Sequence, residues 1–230
     1  YTGTAVEKIV VEDGAVRGVA YDGCHVPADA VISTVPSVVL LNLLDHPRDA
    51  YFDVLSQINY IGVMCALLRL KHSFSRYFWT NINDPRIPLA GVIEYTNLNP
   101  LSEWGGGHVV YLPLYLPAAS ARYRVDDAQL LEEYVRYLRI VRPDFSADWI
   151  EDWFVFRDEY AQPICEVGFT RYIPPITSSL RGLFVTDSSQ LHPEDRTVAN
   201  SIDLGRRAAA LVEQELPTPC DAMDRERVAK

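Results

Sequence analysis

The chain has 230 residues, of which 48% are hydrophobic and 23% charged, the composition of an ordinary globular protein with a core. Its length allows one large domain or two small ones. A net charge of −10 and a pI near 4.9 argue against a role on nucleic acid, where affinity rests on Lys and Arg neutralising phosphates. No run approaches the roughly 18 apolar residues of a membrane span. Cys24, Cys65, Cys165 and Cys220 are scattered without C-x-x-C spacing and read as reduced thiols of a cytoplasmic protein.

The first 35 residues read as a β-meander. A strand over Ala5 to Val11 turns at Glu12-Asp13-Gly14, returns over Ala15 to Tyr21, turns again at Asp22-Gly23 and continues over Cys24 to Pro27. Ala30 to Thr34 is a short buried strand ended by Val35-Pro36. Helices are expected over Ser37 to Leu44 and over Pro47 to Ile58, the second with Pro in its first turn. Strand-like runs follow over Ile61 to Leu70, Leu89 to Tyr95 and His108 to Leu116. Asp126 to Val141 is the clearest helix, with Leu130, Leu131, Tyr134, Val135, Leu138 and Val141 at steps of three and four. Trp149 to Phe156 alternates like a half-exposed strand. Gly182 to Leu216 returns to strand and helix, Pro217 stops the chain's last helix, and Asp221 to Lys230 is a charged tail.

The most pointed stretch is Gly182-Leu183-Phe184-Val185-Thr186-Asp187, then Ser188-Ser189-Gln190, then a helix from Val198. A buried strand ends in an acid, and a helix start follows after a polar loop. Open α/β sheets bind ligands at the carboxyl ends of their strands, and a helix start offers N–H groups to an anion. The pattern is half of a cofactor site, although Asp187 also has the residue type that caps a turn. In the final helix Val198, Ile202, Gly205, Ala209, Val212 and Leu216 form an apparent core stripe, with Gly205 marking close packing on a sheet.

Other chemistries find little support. His25, His46, His72, His108 and His192 contain no H-x-x-x-H pair, so no metal site is expected. There is no G-x-S-x-G, so Ser188 and Ser189 are not hydrolase nucleophiles. Glu151 and Asp152 point to opposite faces of a strand and form no glycosidase pair. No residue singles itself out as a catalytic base.

The chain resembles the C-terminal portion of the flavin-containing amine oxidase, protoporphyrinogen oxidase and phytoene desaturase superfamily of FAD-dependent oxidoreductases. The resemblance rests on Val6-x-x-Ile9, Glu12-Asp13-Gly14, Val16-x-Gly18-Val19 and Ala28 to Pro36 at one end, and on Gly182 to Asp187 at the other. Tyr160-Ala161-Gln162-Pro163 and Pro193-Glu194-Asp195-Arg196 are similar to a subgroup of these enzymes. The implied fold is α/β to α+β, part of an FAD-binding Rossmann-like domain with an inserted mixed-sheet substrate domain and covering helices. Residues 1–58 would belong to the FAD domain, 59–160 to the inserted sheet and helix, 161–216 to the FAD domain again, and 217–230 to a tail.

By the resemblance, Val6 would meet adenine through its backbone with its side chain in the sheet. Thr34 and Pro36 would lie near the adenosine or pyrophosphate, and Asp187 by the ribityl chain or phosphates. Val198 and Ala199 would present N–H groups to the flavin pyrimidine, and Tyr160, Gln162 and Arg196 would lie near flavin or substrate. The aromatic group Trp149, Trp153, Phe154, Phe156 and Tyr160 is read first as sheet core and second as a substrate wall.

Two departures are clear. Thr186-Asp187 stands where the family commonly has Gly-Asp or Gly-Glu, and no G-x-G-x-x-G occurs among the 12 glycines. The dinucleotide-binding unit is therefore expected outside this chain, which begins at Tyr1 and reads as a piece of a longer protein. Alone it is expected to bind FAD weakly, to be inactive and to self-associate through exposed edges.

The leading expectation is a parent enzyme that moves hydride from a C–N or C–C unit of a small molecule to FAD. The alternatives are a flavin-dependent sugar-nucleotide mutase relative, using Arg196, Arg171 and Arg181 for a diphosphate, and a non-enzymatic domain that has lost its cofactor.

Overall fold

The computed structural model describes residues 1–45 and 49–216. His46 and Pro47, and Pro217, Cys220 and the tail, lie outside the described residues. The chain divides into two compact units, Tyr1–Asn59 with Pro163–Lys230, and Tyr60–Gln162.

The first unit opens with an antiparallel meander, β1 (Lys8–Glu12), β2 (Ala15–Tyr21) and β3 (Cys24–Pro27). Asp13 and Gly14, and again Asp22 and Gly23, take positive φ, the backbone that a tight two-residue hairpin turn requires. Val6 lies outside the sheet, since β1 starts two residues later, and its side chain is exposed. A short strand β4 (Val31–Ser33) leads into helix α1 (Ser37–Asn42). Helix α2 (Ala50–Leu55) is capped by Asp49, whose carboxylate accepts from the N–H groups of Tyr51 and Phe52 at 2.9 and 3.2 Å. That helix is shorter than its apolar pattern suggests, starting after its Asp49 cap and ending at Leu55 rather than Ile58.

The second unit is a five-stranded sheet in the order β6-β7-β8-β5-β9. Its strands are β5 (Tyr60–Leu70), β6 (Trp79–Asn81), β7 (Gly91–Glu94), β8 (His108–Pro117) and β9 (Ile150–Pro163). Helix α3 (Asp127–Val141) begins at Asp126, whose carboxylate accepts from Ala128 and Gln129 N–H. Leu130, Tyr134 and Leu138 bury against Met64, Ala66, Leu68, Val110, Leu112 and Leu114, so α3 covers one face of the sheet. Strand β6 was not anticipated, because three residues with a Trp and an Asn show no alternation long enough to read. Strand β9 runs to Pro163, beyond the alternating segment, and carries Tyr160 and Gln162 into this unit.

The chain then returns to the first unit with β10 (Leu183–Val185) and helix α4 (Val198–Glu215). Strand β10 pairs in parallel with β4, Leu183 opposite Val31, Phe184 opposite Ile32 and Val185 opposite Ser33. Leu204 and Ala208 of α4 pack with Phe184 and Ile176, and Leu211 and Val212 lie against them.

The buried stripe of α4 therefore differs from the expected one by a residue, about 100° around the helix. The bulkier Leu204 and Leu211 outweigh the Val198–Ile202–Gly205–Ala209 line. Val198 is 78% exposed, and a Cβ on Gly205 would meet nothing within 4 Å, so Gly205 marks no close packing.

Among the described residues no helix is long and apolar enough to cross a membrane, and no group of three His, Cys, Asp or Glu is placed to hold a metal ion.

Candidate functional site

In the first unit the parallel pairing of β4 and β10 brings two strand ends side by side. Thr186 joins them twice, its N–H and Oγ1 donating to the Ser33 carbonyl at 2.8 and 3.0 Å. The next residue, Asp187, is only 3% exposed, so its carboxylate needs donors from within the fold. Oδ2 accepts from the N–H and Oγ of Ser37, each at 2.7 Å, and Oδ1 accepts from Ser189 N–H at 2.7 Å. Gln190 closes a capping box, its Oε1 accepting from Asp187 N–H at 2.8 Å.

Asp187 is thus the cap of the turn Ser188–Leu191 and also the anchor of α1. Around it, Gln190 Nε2 donates to the carbonyls of Pro174 and Val185, and Tyr51 Oη donates to Pro175 at 2.9 Å. Burial, together with the negative charges of Asp187 and Asp49, pushes the Tyr51 phenol above its ordinary range. Two hydroxyls at these strand ends, Ser33 Oγ and Ser189 Oγ, are buried with no hydrogen-bond partner.

Helix α4 begins after this loop. Thr197 Oγ1 accepts from Asn200 N–H at 3.1 Å, and Asn200 Nδ2 donates to the Asp195 carbonyl at 2.8 Å. Val198 and Ala199 are the first two helical residues, both exposed, and their N–H groups are among those a helix leaves without an internal acceptor.

The other expected residues distribute as follows. Thr34 is exposed and Pro36 half-buried as the N-cap of α1, both in the segment that leaves β4. Arg196 is exposed just before α4, and His192 packs edge-on against Phe169. Tyr160 stands in the second unit, its ring 6.1 Å from that of Tyr60. Trp149 and Trp153 pack against the core beneath α3, whereas Phe154 and Phe156 are exposed. Of the three arginines, Arg171 stacks over the Tyr172 ring at 4.6 Å, and the other two flank opposite ends of β10. Arg181 precedes β10 at its amino end, where its guanidinium donates to the Asp13 carbonyl and its N–H to Gly14, while Arg196 follows the carboxyl end.

The sequence reading gives Ser33, Ser37 and Tyr51 no role and takes Ser189 and Gln190 only as part of the polar loop after Asp187. Gln190 had a readable signal, since Asp187-Ser188-Ser189-Gln190 matches the capping-box spacing. Ser37 had none, because its contact with Asp187 spans 150 residues.

A mixed α/β chain with a parallel strand pair ending in a buried acid and a helix start has the architecture of FAD-dependent oxidoreductases. The profile of the family described as flavin containing amine oxidoreductase matches residues 1–213. The chain belongs to that family.

Among solved structures, an oxidoreductase from Methanosarcina mazei is 17% identical with a TM-score of 0.64, over 92% of this chain and 49% of its own. A protein of Exiguobacterium sp. 255-15, assigned provisionally as a protoporphyrinogen oxidase, is 16% identical with a TM-score of 0.66, over 92% and 46%. A reduced UDP-galactopyranose mutase is 15% identical with a TM-score of 0.56, over 75% and 37%. The chain therefore spans about half the length of the first two structures and less of the third. No curated protein sequence matches it.

Proposed function

We propose that the chain is the part of an FAD-dependent oxidoreductase that carries the final cofactor strand and the substrate-binding sheet. The observation that supports this most is the joined carboxyl end of β4 and β10, where Asp187 ties Ser37 to the Ser188–Leu191 turn. The residues present suit a polar cofactor, since the exposed start of α4 that follows this end leaves the N–H groups of Val198 and Ala199 without an internal acceptor. The chemistry supplied by the flavin when bound is acceptance of a hydride from a C–H bond of a C–N or C–C unit, followed by electron transfer to oxygen or another acceptor.

In this reading Thr34 and Pro36 serve the adenosine or pyrophosphate end and Val6 contributes its backbone to adenine. Asp187 orders the strand end for the ribityl chain or phosphates, and Val198 and Ala199 donate N–H groups to the pyrimidine oxygen. Arg196, Tyr160 and Gln162 are assigned to substrate. A preceding dinucleotide-binding segment with the G-x-G-x-x-G turn, which these 230 residues lack, would cradle the pyrophosphate. The mutase alternative requires a basic diphosphate pocket, and the separation of Arg181 from Arg196 along β10 favours the oxidoreductase.

The test is an absorbance spectrum of the polypeptide extended upstream in its reading frame, beside that of this chain. Flavin bands in the longer protein and none in the chain are expected. A longer protein that purifies colourless and ignores added FAD would refute the reading.

A further inference from the structure

The end of β10 is closed by residues of its own unit. From Leu183 to Asp187 every residue is buried, and so is Ser189. Thr186 is spent on the Ser33 carbonyl, and the peptide N–H of Asp187 on Gln190. The Asp187 carboxylate accepts from the N–H and Oγ of Ser37 and from the N–H of Ser189, at 2.7 Å each, and all of these residues belong to the first unit. Asp187 is 3% exposed, and any polypeptide or ligand added to this unit can only lower that figure. A carboxylate so placed has almost no surface left for a ligand to meet.

Strand β4 is built the other way. Ile32 is 41% exposed, Thr34 is exposed and Pro36 half-buried, so the open side of the paired strand ends is the stretch that leaves β4. That stretch runs into α1, whose N-cap residue is Pro36, a side chain with nothing to donate or accept. A helix start leaves N–H groups that need acceptors, and a buried one needs them most. Ser37 is fully buried, and the acceptor for its N–H is Asp187, 150 residues further on. Its hydroxyl adds a second bond to the same oxygen. One carboxylate therefore caps two segments, α1 through Oδ2 and the Ser188–Leu191 turn through Oδ1. The double grip on Oδ2 fixes where Thr34 and Pro36 stand relative to the end of β10.

We infer that Ser37 is a positioning residue of the cofactor site, acting through Asp187, and that Asp187 itself makes no contact with the cofactor. The inference rests on the proposed flavin reading for the identity of the ligand, in which Thr34 and Pro36 serve the adenosine or pyrophosphate end. The clasp between Ser37 and Asp187 is independent of that reading.

The experiment titrates FAD into the apoprotein form of the longer polypeptide, well below its melting temperature, and follows quenching of flavin fluorescence. The variants are Ser37→Ala, Asp187→Asn and the two combined. Ser37→Ala leaves the carboxylate in place and is expected to weaken FAD about tenfold. Asp187→Asn is expected to weaken it by a similar factor, and the double variant by no more than the larger single loss, as for two halves of one interaction. Leu138→Ala, in the core of the second unit, controls for lost stability. It is expected to lower the melting temperature and leave FAD affinity unchanged.

Losses that multiply to about a hundredfold in the double variant would overturn the inference, since the two side chains would then act separately. A loss in Asp187→Asn with Ser37→Ala silent would overturn it too, because the carboxylate would then meet the cofactor directly. So would lowered melting temperatures with affinity unchanged in both, which would leave the clasp a matter of folding alone. Any of these in a parent that binds FAD defeats this inference and leaves the flavin reading intact. A parent that ignores FAD defeats the flavin reading and this inference with it.

Discussion

Asp187 concentrates the chemistry of its neighbourhood in one side chain. Removing its carboxylate leaves the N–H and Oγ of Ser37 and the N–H of Ser189 without that acceptor in a buried place. Asp187→Ala is expected to cost about 3 kcal/mol, and Asp187→Asn less, because an amide oxygen still accepts. Urea unfolding would show it, and a loss under about 1 kcal/mol for Ala would contradict the anchoring role.

Tyr134 is the opposite case. Its ring is buried in the core and its hydroxyl has no partner, so Tyr134→Phe should be neutral or stabilising. Burial raises the phenol pKa of both Tyr134 and Tyr51 above the ordinary 10.0. The folded chain then keeps protons that the unfolded chain releases, so their contribution is complete below pH of about 10 and is lost as pH rises past it. Urea midpoints at neutral and alkaline pH should converge partly in Tyr134→Phe, and an unchanged alkaline loss would refute that assignment. At this scale the acid at the strand end was legible, because residue type and position suffice. Its partners were not, since no local pattern reports a contact 150 residues away.

Among elements, the strands with long alternating or β-branched runs were legible to within a residue or two, as β2, β5 and β8 are. Helix α3 was legible too, having one apolar line and an aspartate at its start. Helix α4 was legible as a helix and misread as a surface. Its sequence offers two apolar lines a residue apart, and packing against Phe184 chose the one with the larger side chains.

Two glycines test this difference. Gly205 sits in open space within α4, so Gly205→Ala should raise stability by roughly 0.5–1 kcal/mol. Gly62 lies buried on β5, where a Cβ would fall 1.9 Å from Tyr123 Oη and 2.6 Å from the Asp158 carbonyl. Gly62→Ala should therefore cost about 2 kcal/mol or more, since the backbone of β9 has to move. Paired thermal melts decide both, and the same sign of change for the two would contradict the packing described.

For the whole molecule, the two units differ in how the chain builds them. Residues 60–162 are continuous and enclose their own core between α3 and the sheet. Expressed alone, that segment is expected to melt cooperatively with dispersed amide resonances, and a non-cooperative melt would contradict its independence. The first unit depends on distant segments, since β4 has its partner only when β10 returns. Half the length of its structural neighbours is enough to show the family and to place the strand ends that the proposed site uses.

The most direct measurement of that site is flavin binding by the longer polypeptide carrying Val198→Pro. Proline suits the first position of a helix, and the extended Thr197 before it, with φ −81° and ψ 160°, already accommodates a following proline. Val198 is largely exposed, so the change deletes one N–H and little else. An unchanged melting temperature is expected, with flavin held about tenfold more weakly. A variant that binds flavin as tightly as the parent, with the same spectrum, would show that the start of α4 does not meet the cofactor.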